Sequence, residues 1–367
     1  MKFKLQAYSI WEFGQRVDSN GQPHQEDSIF PAFGKQTESD RLFVLCDGMG
    51  GHDAGEVASA TVCEAMARSV KESVADAEAL FTDDMMKKAV DDAFAALDEH
   101  DSGAVKKMGT TMTFLKLHAG GATIAHMGDS RVYHIRPGKD ASATQILFCT
   151  EDHSLVNDLV KVGELTPEEA RVSPQKNIIT RAMQPHMERR PKADVKHITD
   201  IRPGDYFYMC SDGMLEQMED DNIRFNFSAM TGDDDNKVRV LTDATHYNRD
   251  NHTAFIIHIL DVEGQPVAAE KPEPVVGGDD RFMVEAEDGD DKTSEEAASG
   301  KAVEEECTAS DWKKSCGAVA ADTLNHGITG SHGTTGSSHN TIGSSHGIER
   351  KSGLQKFLSN SKNLSLT

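Results

Sequence analysis

Asp47 closes an apolar run, Leu42-Phe43-Val44-Leu45-Cys46, and is followed by Gly48-Met49-Gly50-Gly51-His52. A carboxylate at the exit of a buried strand is held at the edge of the core, where a metal or substrate can reach it. The glycines beside it carry no Cβ, accept positive φ and let the backbone approach a ligand closely. Two more acidic turns follow apolar runs, Gly128-Asp129-Ser130 and Ser211-Asp212-Gly213. A fourth aspartate, Asp250 in Arg249-Asp250-Asn251-His252-Thr253, stands just before the run Ala254 to Leu260. Aspartates at repeated strand ends point to a carboxylate cluster assembled by the fold. Carboxylates with no nearby Cys/His cluster favour a hard divalent cation, Mg2+ or Mn2+, over structural zinc.

The elements that must position these groups are legible in outline. Apolar runs read as strands at Gln6 to Ile10, Leu42 to Cys46, Thr110 to Leu117, Ala122 to Met127, Arg131 to Ile135, Gln145 to Cys149, Tyr206 to Cys210 and Ala254 to Leu260. Ala119-Gly120-Gly121 and Asp129-Ser130 break the stretch from Thr110 to Ile135, which predicts an antiparallel meander. Val57, Ala58, Thr61, Val62, Ala65, Met66 and Val70 recur at helical spacing and predict a helix over 54–73, with another near 83–99. Shorter helices are expected at 154–162 and 166–172, the second opened by Thr166 as N-cap with Pro167 at the first helical position. Hairpin strands with helices grouped between them indicate a layered α+β domain with antiparallel sheets.

The chain has 367 residues and a formal net charge of -23, from 61 acidic against 38 basic side chains. That balance opposes phosphate backbones, so no nucleic-acid partner is expected. No run reaches the length of a membrane span, and Met1-Lys2-Phe3-Lys4-Leu5 lacks a long apolar segment of the signal-peptide kind. The six cysteines show no framework spacing; Cys46, Cys149 and Cys210 sit in apolar runs and read as buried thiols. A cytoplasmic location follows as the expectation. Beyond about residue 262 the character changes to prolines, an acidic run and a Gly/Ser/Thr/His tract, His326 to Gly347. This segment lacks the apolar content to offset the entropy of ordering, so 263–367 is expected to be a disordered tail behind a catalytic domain of residues 1–262.

Asp47-Gly48-Met49-Gly50-Gly51-His52, Gly109-Thr110-Thr111, Gly128-Asp129-Ser130-Arg131, Ser211-Asp212-Gly213 and Asp250-Asn251 occur in one order. Together they resemble the metal-dependent protein Ser/Thr phosphatases of the protein phosphatase 2C type, in their bacterial-like form, and Gln25-Glu26-Asp27-Ser28 matches the family's first acidic motif. The resemblance covers residues 1–262. It implies a four-layer sandwich, two antiparallel β-sheets packed face to face with helices on both outer sides. It also implies hydrolysis of phosphoserine and phosphothreonine on proteins by a water or hydroxide bridging two divalent metals. A protein nucleophile is then unnecessary, which suits a chain with no evident Ser/His/Asp or activated-cysteine arrangement.

By the same resemblance Asp47 would bridge two metals and the Gly48 carbonyl would complete one coordination sphere. Asp212 and Asp250 would ligate the other metal, with Glu26 and Asp27 supporting the site partly through water. Asp129, with Asp212, would hold a third, weaker metal. The family's phosphate-gripping arginine precedes its Glu-Asp pair. Here Gln22 has the local position, and Arg16 takes the role if Val17 to Pro23 is an inserted loop, the reading favoured by the guanidinium's fit to phosphate. His52 has the chemistry of a general acid for the leaving alkoxide, although the longer glycine turn leaves its alignment with the family's acid open. A flap is expected at about 150–190.

Each residue also has a plainer reading. Gly-Asp-Ser is an ordinary turn sequence, Thr110 and Thr111 fit a buried strand behind the site, and Arg131 and Arg181 fit carboxylate partners that hold loops. The expected partners are phosphorylated substrates of a Ser/Thr kinase, met by a monomer, with no membrane involved. The competing reading is a weakly active regulatory or scaffold member that recruits partners through its tail.

Overall fold

The structure is a computed structural model that describes residues 1–17, 21–50, 53–100 and 108–268. In chain order the main elements are β1 (Lys2–Glu12), β2 (Asp27–Phe30), β3 (Leu42–Met49), α1 (Asp53–Ser73), α2 (Asp83–His100), β4 (Gly109–Thr110), β5 (Met112–His118), β6 (Gly121–Met127), β7 (Arg131–Arg136) and β8 (Gln145–Cys149). They continue with α3 (Leu155–Lys161), α4 (Pro167–Val172), β9 (Asp194–Ile198), β10 (Tyr206–Cys210), α5 (Asp220–Phe227), α6 (Asp234–Thr245) and β11 (His252–Glu263). One sheet has the order β1-β11-β10-β7-β8 and the other β2-β3-β5-β6-β9, with β4 added to β3. All of the pairings are antiparallel.

Three apolar layers hold the four structural layers together. Phe43, Leu45, Leu115 and Ile124 of one sheet meet Leu5, Phe207, Phe255 and Ile257 of the other. Val44, Phe114 and Ala125, on the opposite pleat, face Val62 and Met66 of α1 and Phe94 and Leu97 of α2. Tyr133, Tyr208 and Ile256 face Ile223 and Phe227 of α5 and Leu241 of α6. Because successive side chains of a strand point to opposite faces, a strand covered on both sides must be apolar at every position. That is why β3, β10 and β11 read as continuous apolar runs rather than alternating ones. The expected four-layer sandwich is the observed one.

The meander is only half formed. β5 and β6 make the hairpin, in register from Met112↔Met127 to His118↔Gly121. Gly128-Asp129-Ser130 then carries the chain out of that sheet into the other, where β7 pairs with β10 and β8. Both strands are buried on both faces, so their apolar pattern held no information about which sheet each joins. Thr166 caps α4 in a reciprocal capping box with Glu169, and Pro167 is its first residue, as its sequence predicts. Cys46, Cys63 and Cys210 are free and buried, whereas Cys149 is free but only half-buried. No helix among the described residues is long and apolar enough to cross a membrane. The tail expected from 263 lies outside the described residues from 269 onward.

A buried ionic knot ties β7 to the start of β10. Asp205 accepts from His134 Nε2 at 3.0 Å, from Arg136 Nε and Nη2 at 2.8 Å each, and from the Arg202 amide at 2.9 Å. Burial alone would raise its pKa, but these donors outweigh burial and hold it at about 2. A depressed carboxyl stabilises the fold above its unfolded pKa, and that contribution is lost as pH falls through the folded value. Asp205→Asn should therefore lower unfolding free energy by roughly 2–3 kcal/mol at neutral pH. The deficit should shrink in denaturant titrations as pH falls from about 4 toward 2. A deficit unchanged over that range would show that the charge is not what holds the knot.

Candidate metal centre

The four acidic strand ends come close enough for the charges of Asp129, Asp212 and Asp250 to act on Asp47. Asp47 lies near the end of β3, Asp212 follows β10, Asp250 precedes β11, and Asp129 sits where the chain crosses between the sheets. Asp27 opens β2 directly opposite Asp47 in the pairing register. Asp27 and Asp129 are buried, while Asp47, Asp212 and Asp250 are half-buried.

Hydrogen bonds fix Asp47, Asp27 and Asp250. The Asp47 amide donates to Thr111 Oγ1 at 3.0 Å, and its carbonyl accepts from the Thr111 amide at 2.8 Å and Thr110 Oγ1 at 2.9 Å. Both threonines thus do the supporting work expected of them. Ser211 Oγ donates to Asp27 Oδ2 at 3.0 Å and accepts from the Thr253 amide at 3.1 Å. Glu216 takes the amides of Arg249 and Asp250 on its two oxygens, at 3.0 and 2.9 Å. Asn251 joins the two acidic segments: its Oδ1 accepts from the Glu26 amide and its Nδ2 donates to the His24 carbonyl, both at 2.8 Å. Gly48 is packed backbone to backbone, and a Cβ there would lie 2.3 Å from Gly55 O and 2.6 Å from Glu26 O. Any side chain would push the acidic segments apart.

Sequence reasoning named the aspartates but missed Ser211, Asn251 and Glu216 as the groups that orient them. The first two stand beside Asp212 and Asp250 in the quoted motifs but act on the distant segment of Glu26 and Asp27. Glu216 carries no comparable local signal. His52 lies outside the described residues.

Arg16 Nη1 is 2.8 Å from Asp250 Oδ1, with the guanidinium 63% exposed. Val17 and Pro23 form an antiparallel bridge, and Gln22 beside it is exposed. The Arg16 amide is fixed on the Arg249 carbonyl at 3.0 Å, which keeps its side chain beside Asp250.

The electrostatics fit a cation. Burial, then the charges of Asp212 and Asp250, raise Asp27 to about 7 against the lowering effect of its hydroxyl donors. Burial and Asp212 raise Asp129 to about 8, and burial and Asp212 raise Asp250 to about 6. Burial and the four surrounding aspartates push Asp47 well above the usual carboxylate range, and burial raises Asp212 as well. Asp27 Oδ1 and Asp129 Oδ1 are buried without a hydrogen-bond partner. An all-oxygen, net-negative nest with orphaned acceptors matches Mg2+ or Mn2+. Nearby Cys46 offers no alternative, since burial raises its thiol pKa well above normal and suppresses the thiolate.

Groups whose pKa is raised on folding hold protons that the unfolded chain releases, so their contribution to stability falls as pH rises from about 4 to 8. A divalent cation replaces those protons. The rise in melting temperature on adding Mn2+ should therefore be larger at about pH 8 than at about pH 5.5. An equal rise at both, followed by differential scanning fluorimetry, would place the bound ion elsewhere.

Comparison with known proteins places the chain in a family. Residues 13–256 match the family described as Protein phosphatase 2C. The chain is 36% identical over 200 residues to the serine/threonine protein phosphatase PstP of Mycobacterium tuberculosis, a match covering 54% of this chain and 35% of that protein's length. It is 32% identical over 218 residues to a putative protein phosphatase 2C-type of Streptococcus pyogenes, covering 59% of this chain and 85% of that one. The crystal structure of the M. tuberculosis phosphatase superposes with a TM-score of 0.56 at 29% identity, over 70% of this chain and 99% of that one. The PstP catalytic domain in complex with two manganese ions superposes at 0.55 with 28% identity, over 71% and 100%. The chain belongs to the protein phosphatase 2C family.

Proposed function

We propose that this protein hydrolyses phosphoserine and phosphothreonine on proteins. In this reading Asp47, Gly48, Asp212 and Asp250 hold two divalent cations, Mn2+ or Mg2+. Glu26 and Asp27 stand behind them, and Asp129 serves a third, weaker cation. The observation that carries the reading is the convergence of five carboxylates with raised pKa values from strand ends of both sheets. The family match and the two manganese ions of the PstP catalytic domain support it. Cations bound there would supply a water acidified toward neutral pH and balance the charge of the phosphoryl group.

The chain's own residues do the rest. Glu216 and Asn251 keep Asp250 and Glu26 from relaxing away from one another. Arg16 stands at the exposed rim on Asp250. Its planar fork suits two phosphate oxygens, and with the Asp250 charge balanced by a cation it would be free to turn outward. All of these groups come from one chain, so a monomer suffices, and the segment 150–190 with α3 and α4 would shape access for protein substrates. Free thiols among the described residues suit a reducing cytoplasm. The physiological targets would be the products of a Ser/Thr kinase.

The deciding assay is hydrolysis of a phosphothreonine peptide with Mn2+ and with chelator; full activity at verified zero metal would refute the reading. Asp47→Asn and Asp212→Asn should each lower turnover by more than about a hundred-fold, beyond what removing a group that only orients a ligand costs. Circular dichroism should show each variant folded. Arg16→Ala should raise KM by roughly ten-fold or more, the worth of one charged hydrogen bond, and Gln22→Ala should leave it nearly unchanged. The reverse order for the last two would assign phosphate binding to the loop rather than to Arg16.

A further inference from the structure

The Asp129 carboxylate hangs on a three-residue turn, yet its buried Oδ1 has no partner to aim it. Its direction must come from the backbone on either side. Gly128 is at φ +114°, a conformation natural only to glycine, and a Cβ there would lie 2.6 Å from Thr111 Cγ2. On the far side, Ser130 Oγ shares a hydrogen bond with Thr111 Oγ1 at 2.9 Å. On the near side one residue holds both polar groups of Gly128. The His153 amide donates to the Gly128 carbonyl at 2.9 Å, and His153 Nδ1 accepts from the Gly128 amide at 3.1 Å.

Accepting at Nδ1 fixes the tautomer. The ring proton then sits on Nε2 and is donated to Asp194 Oδ2 at 3.0 Å, with Arg181 Nη1 3.2 Å from the same nitrogen. Asp194 Oδ1 in turn accepts from Arg181 Nη1 at 2.8 Å. The ring of His126 lies flat against that of His153, 4.5 Å away at 8°, and its Nε2 is tied to the Glu151 carbonyl at 2.9 Å. The imidazole is buried and held on one face, at both nitrogens and through its own backbone.

His126, His153 and Asp194 also bring three ligand atoms within 4.8 Å of one another, a spacing that suits a metal ion. The hydrogen bonds oppose that use. A metal on His153 Nε2 would need the proton on Nδ1, where the Gly128 amide already points, and the Arg181 guanidinium already supplies a positive charge to Asp194.

We propose that His153 is a positioning residue for Asp129: by clamping Gly128 from both sides, with Asp194 and Arg181 holding its ring, it sets how the Asp129 carboxylate enters the acidic site and so how tightly the most weakly held cation binds there. The proposal rests on the metal-centre reading above. Two substitutions separate the halves of the clamp. His153→Asn keeps an acceptor where Nδ1 stands and loses the Nε2 donor; His153→Gln keeps a donor near Nε2 and loses the acceptor.

The test uses the full chain, with Mn2+ titrations by calorimetry and nitrophenyl-phosphate turnover followed against Mn2+ concentration. His153→Gln should weaken the weakest Mn2+ step by roughly ten- to a hundred-fold, the usual effect of losing a group that orients a ligand. The tighter steps should be unchanged and turnover should recover at high Mn2+, while His153→Asn stays within a few-fold of the unaltered chain. Isotherms of His153→Gln identical to the unaltered chain would overturn the proposal. So would equal weakening in both variants with a matching fall in melting temperature, since that is a merely structural effect. An unaltered chain with no weak step would also overturn it. If the isotherms behave as expected but the unaltered chain hydrolyses nothing, His153 keeps its role and the phosphatase reading fails.

Discussion

Two like charges about 5 Å apart repel by roughly 3 kcal/mol at an effective dielectric near 20, and this protein gathers five carboxylates at the strand ends of two sheets. Nothing about the aspartates themselves favours that arrangement, so the surrounding structure must impose it. The imposition is made at the backbone: Thr111 on Asp47, Glu216 on Asp250, and Asn251 on the segment carrying Glu26. The three apolar layers supply the stability against which the repulsion is set. On the proposed metal-centre reading, a site built this way would be held ready for a cation rather than formed by one. The donors keep their directions even where an oxygen such as Asp27 Oδ1 has no partner.

What the sequence disclosed followed from how each signal arises. Strands covered on both faces announce themselves as apolar runs, so β3, β10 and β11 were legible, as were the aspartates that end or precede them. Helix α1 was legible from its apolar stripe, although Val57, counted in that stripe, proves exposed. β9 escaped because four of its five residues are exposed and no apolar alternation marks it. α5 and α6 escaped because each sets only a few apolar side chains against the sheet, Ile223 and Phe227 in one and Val238 and Leu241 in the other. The crossing at Gly128-Ser130 escaped because sheet membership is a long-range property. It depends on which strand lies alongside, and local pattern carries no record of that.

The groups that orient the site were harder to see than the groups that form it. An aspartate at a strand end is conspicuous, but the residues that turn it lie far off in sequence. Thr111 acts on Asp47 across 64 positions, and Asn251 acts on Glu26 across 225. Arg131 is a case where the plainer reading held. Read from sequence as a carboxylate's partner that holds a loop, its guanidinium does make a two-point ion pair with Asp152, at 2.6 and 2.7 Å, and also bonds Tyr133. Chemical type at the right position is therefore a weaker guide than the inventory of partners already engaged.

The pairing of β1 with β11 carries a topological consequence. Lys2 lies opposite Glu263 at one end of that ladder, and Glu12 lies opposite His252 at the other, next to Asp250. The two ends of the sandwich's chain are thus neighbours, and ten residues of extended strand put them roughly 30–35 Å from the acidic site. Joining those ends with a short linker and opening the chain at an exposed turn elsewhere would preserve every strand neighbour. The order in which the polypeptide visits its layers is therefore separable from the placement of its carboxylates, and a circularly permuted chain can inherit the same nest.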